Sequence, residues 1–431
     1  MKYRTTRWRP ALWLGSAALV AALALGACGD DDDDDGGEIG AVDVMGVWGD
    51  EEETNFRALV APWQADTGGS LEYTGTRDLT QQLTIRVQGD NAPDVAISPE
   101  VGLLTEYAGS GEAMPLSECD GLEDYVRDNY GEAFVSLGSV DGDLYGIIMK
   151  IDNKGTIFYN PKQFAENDWE PLGADATWDD LVALAQQIRD DGATPFSIGV
   201  SSDAATGWPI TDWVGQILLA EQGLEVYNGV IDGSVAFNDD RVKDAWEKFG
   251  QIAHGDGMVL QDVPDGVLAT TFQASTHAPY EDPPEAAMVY LGSFATLFID
   301  EQFPDAVPGE DYDFMPFPNG AITGGFNVAY MFNNDATTCS FMQHLATDAA
   351  QQIWVDLGGF NSAHQGIDLS GYDNPVSRKA AETLLSADVF AGDIDDTLGG
   401  TFQAAFWAAA VGYLDDPGDL DSLLEQVENA R

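Results

Sequence analysis

Four histidines, three cysteines and 74 carboxylates are the groups from which this chain of 431 residues could build acid–base, nucleophilic or metal chemistry. Their spacing supports none of it. His254, His277, His344 and His364 lie too far apart to form a local ligand set, so each reads as a surface or locally hydrogen-bonded histidine rather than a catalyst or metal ligand. The chain has no G-x-S-x-G elbow, H-E-x-x-H helix, P-loop or C-x-x-C pair. A glycosidase would need two carboxylates about 5 to 9 Å apart, one with a raised pKa, and among so many acids no pair stands out. Neither a cofactor nor a resident metal is expected, and the chain is not expected to be an enzyme.

Cys28 is the residue whose surroundings do specify chemistry. Lys2, Arg4, Arg7 and Arg9 form a positive leader, and Ala11 to Gly26 an apolar stretch too short for a membrane span, the pattern of a secretory signal. Leu25-Gly26-Ala27-Cys28 then resembles a bacterial lipobox, in which small residues precede a cysteine that is lipidated. Asp30 to Asp35, followed by Gly36 and Gly37, bury no apolar surface and repel one another, so they are expected to form a solvated tether. Nothing fixes those carboxylates for metal coordination. The expected boundaries are 1–27 for the signal peptide and 28–38 for the lipidated cysteine and tether. Outside the cell the two remaining thiols, Cys119 and Cys339, are either joined in a disulfide or both buried and free.

The elements that position any site follow from periodicity. "IGAVDVMGVW", from Ile39, reads as a buried strand, and in the next segment Phe56, Leu59, Val60 and Trp63 fall at helical spacing. "LEYTG" and "PDVAIS" read as further strands with the helix "RDLTQQLTIRVQGD" between them. This alternation predicts an α/β domain with parallel pairing and helices on both faces. The pattern restarts after "DGDLYGIIMKIDNKGTIFYN". Thr177 caps a helix whose apolar face is Leu181, Leu184, Ala185 and Ile188, and "TPFSIG" follows as a strand. The length favours two lobes. A formal net charge of -56, from 74 acidic and 18 basic residues, excludes nucleic acid as a partner because no basic patch exists to displace counterions. Such a surface stays hydrated, and its self-repulsion is screened at high salt.

Several stretches, in order over nearly the whole mature chain, resemble the family 1 extracellular solute-binding proteins of ABC importers. These are the carbohydrate binders typified by maltose-binding protein, and the likeness is to the α-glucoside type. The stretches include "VWGDEE", "YTGTRDLTQQLTIRVQGDNAPDVAISPEVG", "DGDLYGIIMKIDNKGTIFYNPKQF", "TGWPITDWV", "MVYLGSFATLFI", "FMPFPNGAITGGFN" and "GTFQAAFWAAAVGYLDDPGDLDSLLEQV". The resemblance implies a two-lobed periplasmic-binding-protein-like fold of type II with hinge strands, the chain crossing near residues 150, 316 and 358. The N-terminal lobe is then 39–150 plus 316–357 and the C-terminal lobe 151–315 plus 358–431. Cys119 and Cys339 fall in the same lobe on that mapping, which favours their pairing.

Sugar recognition needs aromatic faces and planar polar groups, and the resemblance assigns these by position. Trp48 and Glu51 follow the first strand, where open α/β sheets bind ligands. Trp48 equally suits the core, so Glu51 is the preferred contact. Thr76 and Arg77 match a cleft loop, Ser98 and Glu100 follow the third strand, and Asp152 lies past the first crossing. Trp208 is placed in a loop beside Gly207 and Pro209 and is preferred to Trp213. Gly292, Ser293 and Phe294 match a stretch where the family commonly carries tryptophan after Gly-Ser, a departure that bears on which sugar is bound. Gly324 and Gly325 let backbone approach a ligand, and Trp407 resembles the late cleft tryptophan of maltose-type binders. The function implied is a monomeric, lipid-anchored receptor on the cell membrane that passes a glucoside or oligosaccharide to ABC transporter permease subunits. The competing readings are a polyol or osmolyte binder of the same fold and an anchored carbohydrate-active enzyme.

Overall fold

The computed structural model describes residues 39–387 and 389–431, so Cys28, the signal segment and the aspartate tether lie outside the described residues. The first strands and helices form where the periodicity places them: β1 (Ala41–Gly46), α1 (Asp50–Thr67), β2 (Ser70–Gly75), α2 (Leu79–Gln88), β3 (Val95–Ser98) and α3 (Val101–Ser110). Phe56, Leu59, Val60 and Trp63 are the buried face of α1, and β1 pairs in parallel with both β2 and β3. The pairing then departs from the parallel expectation. β4 (Gly146–Asn153) and the long β8 (Ile322–Met331) enter the same sheet antiparallel, β8 against β3 and β4 against β8.

Three more strands lie between these two in sequence: β5 (Thr156–Tyr159), β6 (Met288–Tyr290) and β7 (Asp313–Pro316), which make a separate antiparallel sheet in the order β6-β5-β7. The larger sheet is completed by β9 (Asn361–Ser362) on β4 and by β10 (Phe390–Gly392), parallel to the start of β8. "TPFSIG" does not become a strand. Only Phe196 bridges, to Val259 and Met288.

Helices α4 (Trp178–Asp190) and α5 (Trp208–Asp232) cover the second lobe. Thr177 and Asp180 make a reciprocal capping box at the start of α4, satisfying two backbone donors left free there. The chain returns through α6 (Ile394–Leu398) and α7 (Gly400–Asp415).

Two large apolar cores result. One gathers Val44, Phe56, Ile97, Ile151, Val328 and Trp354, and the other Ile157, Trp178, Trp213, Trp246, Tyr290 and Phe406. Phe360, Ala363 and Tyr372 belong to the first core, and Asn361–Ser362 pair with β4. Residues 360–372, assigned from sequence to the C-terminal lobe, thus pack on the first core and close the edge of β4. Cys119 and Cys339 are joined in a disulfide that ties the segment after α3 to the helix Ala336–Leu345. Among the described residues no helix is long and apolar enough to cross a membrane.

Candidate functional site

The floor of the site is written into β4. Alternation along a strand sends every second side chain to one face, so Lys150, Asp152 and, just past the strand, Lys154 line one cleft together. The antiparallel register sets Asn327 opposite Lys150 and Gly325 opposite Asp152, and these line it too. Lys150, 2% exposed, lies 3.1 Å from Glu52 on the first turn of α1 and 3.5 Å from Asp152. Arg77 reaches the other oxygen of Glu52 at 3.2 Å. Burial alone would raise the Glu52 carboxyl, but Lys150 and Arg77 outweigh it and bring its pKa below the ordinary value.

Lys154 makes the matching arrangement on the opposite side, 2.8 Å from Asp212 on α5 and paired also with Asp393. Burial would depress its pKa, yet the two carboxylates hold it well above the usual lysine range. Asp393 itself is pushed up to about 6, mainly by burial. Gly325 makes this packing possible, since a Cβ there would sit 2.9 Å from Lys154 Cε.

Above this floor opens a cleft of about 450 Å³, within the range of small-ligand sites. Its walls are aromatic: Trp48, Trp208, Phe272, Phe294, Phe298 and Trp407. Trp208 meets Phe272 edge-on at 5.0 Å between centroids and lies under the Lys154 ammonium at 5.4 Å. The Arg77 guanidinium, on the loop before α2, sits 5.5 Å from the Phe272 ring of the facing lobe. Trp407, half-buried on α7, donates its indole N–H to Asp395 Oδ2 at 2.7 Å, and Thr211 donates to the same oxygen at 2.7 Å.

Polar atoms complete the lining. Glu100 is 4% exposed; it accepts the Thr80 hydroxyl on Oε1 at 2.5 Å, while Oε2 has no partner. Burial pushes its pKa up to about 7, with the Asp395 charge adding and the Thr80 bond opposing. The Ser202 hydroxyl is likewise buried in the lining without a partner. Asp396 accepts from Gln403 at 3.1 Å, and burial, reinforced by Asp395, raises its pKa well above the usual carboxylate range.

Of the residues named from sequence, the structure brings Trp48, Arg77, Glu100, Asp152, Trp208, Phe294, Gly325 and Trp407 to this cleft. Glu51 is not among them. It is exposed and lines a separate groove with Asp300 and Glu301, because one step along a helix turns a side chain by about 100°, and that step brings Glu52 inward instead. Trp208 is the first residue of a helix and not part of a loop, while Trp213 is buried against Tyr290 and Phe317.

The other named positions stand behind the lining. The Thr76 hydroxyl accepts from the Asp78 backbone and from Gln82, shaping the loop that carries Arg77. Ser98 Oγ accepts the Glu100 N–H. Ser293 Oγ accepts from Asn153 N at 3.1 Å and from Asn361 at 3.0 Å, tying a crossing segment to β9, with Gly292 beside it. Gly324 packs against Phe390.

Sequence reasoning missed Glu52, Lys150, Lys154, Asp212, Asp395 and Asp396. A signal for the lysines was present: Lys150 and Lys154, two of only 18 basic residues, stand four positions apart at the end of a buried strand that opens on the apolar run Ile147-Ile148-Met149.

Comparison with known proteins places this geometry in a family. A family model described as bacterial extracellular solute-binding protein matches residues 58–381. The osmoprotective compounds-binding protein GgtB of Synechocystis is 32% identical over 86% of this chain and 88% of its own length. The alpha-glucosides-binding periplasmic protein AglE of Rhizobium meliloti is 31% identical over 88% of this chain and 84% of its own. Among solved structures, the bacterial solute receptor AcbH, described as preferring β-D-galactopyranose, superposes with a TM-score of 0.77 at 18% identity, covering 91% of this chain and 98% of AcbH. A chitin oligosaccharide binding protein superposes at 0.78 and 19%, with the same coverage. The two lobes, the hinge strands and the cleft between them are those of the periplasmic-binding-protein fold, and the chain belongs to the bacterial extracellular solute-binding proteins.

Proposed function

We propose that this protein is a lipid-anchored, monomeric receptor that captures a carbohydrate, an α-glucoside or short oligosaccharide, between its lobes and hands it to the permease subunits of an ABC importer. One observation carries the reading: half-buried Trp208 and Trp407 line the same cleft as Glu100 Oε2 and Ser202 Oγ, polar atoms without partners. A pyranose supplies what both lack, an apolar C–H face for the rings and hydroxyls for the orphaned atoms. A micromolar ligand needs about -8 kcal/mol, within reach of two stacked rings and several hydrogen bonds after ordering costs. The relative that binds alpha-glucosides supports this ligand class. The basic leader, the apolar stretch and the Leu-Gly-Ala-Cys28 sequence support the anchor. The chain breaks no bond in this reading, and ATP hydrolysis belongs to another subunit.

A second reading, an osmolyte or polyol as ligand, is favoured by the relative named for osmoprotective compounds. A thermal-shift panel of α-glucosides, oligosaccharides, polyols and osmolytes on the chain from residue 39 separates the two. Ligand at about 100 times its Kd stabilises the closed form by about 2.7 kcal/mol, a rise of several degrees. A shift with intact glucosides supports the first reading, a shift confined to osmolytes the second, and recovery of cleaved sugar would overturn both.

A further inference from the structure

Glu100 leads into α3 in the N-terminal lobe, and Asp395 and Asp396 lie on α6 in the other. The two helices meet closely: a Cβ placed on Gly102 would lie 2.8 Å from the Leu398 carbonyl oxygen. That approach carries three carboxylates to one end of the cleft, all of them in its lining. No ion pair among the described residues joins any of the three to a basic side chain. Neutral groups hold them instead: Thr80 on Glu100, Thr211 and Trp407 on Asp395, and Gln403 on Asp396. The three cations of the lining are committed elsewhere, Arg77 and Lys150 to Glu52, and Lys154 to Asp212 and Asp393. This end of the cleft thus gathers three carboxyl groups with no basic side chain bonded to any of them, together with a buried carboxylate oxygen, Glu100 Oε2, that has no partner.

We infer that Glu100, Asp395 and Asp396 are specificity-determining residues, a charge filter that admits neutral glycosides and rejects sugars bearing a carboxylate or phosphate. The inference rests on the carbohydrate reading above. A ligand hydroxyl donates its proton to a carboxylate oxygen. A ligand carboxylate has no proton to donate and adds like charge in a partly desolvated cleft.

Calorimetric titration of three ligands sharing a p-nitrophenyl aglycone tests it: the α-glucoside, the α-glucuronide and the methyl ester of that glucuronide. At pH 7.5 the glucuronide is expected to bind at least about 100-fold more weakly than the glucoside, since like-charge juxtaposition is costly, and the ester to recover most of that loss. In the Glu100→Gln variant the ratio is expected to narrow to under about tenfold. Binding of the glucuronide within threefold of the glucoside, rejection of the ester as strong as that of the acid, or an unchanged ratio in the variant would each overturn the filter.

Should that variant not fold, the wild type supplies the same test through pH. Glu100 faces Thr80 on α2, Tyr107 on α3, Tyr330 on β8, and Asp395 and Asp396 on α6. Its pKa, about 7, lies between pH 5.5 and pH 8, while a sugar carboxylate stays ionised. The ratio is therefore expected to shrink between pH 8 and pH 5.5, and a flat ratio counts against the filter. If none of the three ligands binds, the carbohydrate reading falls and the filter with it. If the glucoside binds without discrimination, only the filter falls.

Discussion

The indole N–H of Trp407 and the Asp395 carboxylate are 2.7 Å apart, so an aromatic wall of the cleft is fixed in orientation by one of its acids. Trp407→Phe keeps a stacking face but loses that bond, which is worth about 1 kcal/mol. A roughly fivefold rise in Kd for the bound sugar is expected by calorimetry. Trp407→Ala also removes the ring and is expected to raise Kd more than tenfold, since an aromatic contact is worth about 0.5–1.5 kcal/mol beyond its buried area.

Removing the Lys154 charge is expected to be a folding defect first and a binding defect second. Lys154→Met leaves Asp212 and Asp393 buried without their shared cation, and breaking such a group from one side costs about 3–5 kcal/mol. Differential scanning calorimetry should show a fall in Tm on the order of 10 °C. Adding Asp212→Leu should return part of it, because the second change removes a stranded charge.

Stability is expected to rise as the solution is acidified from pH 8 to pH 5.5, with Glu100 a main contributor. Its pKa in the fold, about 7, lies above the ordinary 4.5. The folded state therefore binds a proton that the unfolded state does not, and the burial penalty, complete above pH 7, is relieved below it. The linkage amounts to about 2 kcal/mol over this interval. Glu100→Gln has no proton to take up, so its Tm profile should be flatter than that of the wild type by that amount.

The Cys119–Cys339 bond closes a separation of 220 residues within the N-terminal core, away from the cleft. Replacing both cysteines by serine is expected to lower stability by about 3 kcal/mol in chemical denaturation. Ligand affinity measured well below the transition should stay within about twofold, because neither cysteine lines the site.

The start of the N-terminal lobe was legible because strand and helix alternate there with clear periods: Val44, Phe56 and Leu59 are buried as the pattern requires. Phe196 shows where that reading fails. It lies in a stretch that looks extended, but neighbouring segments bridge it only at single positions, and single bridges leave no trace in local sequence. The cleft divides in the same way. Arg77, Glu100, Trp208 and Trp407 were reachable from motif position. Glu52, Asp212 and Asp395 were not, because a carboxylate is selected for its site by partners 98, 58 and 184 residues away. One acid among 74 carries no mark of that choice.

Lys150 is tied to Glu52 in one lobe, and Lys154, four residues on, to Asp212 in the other. The short run of backbone between them works as an axle with a bearing at each end, and Asp152 on that axle lines the cleft. Relative rotation of the lobes must twist a few torsions there, beneath the cleft. The cleft lining and the turning point between the lobes thus share one residue, Asp152, with no intervening element.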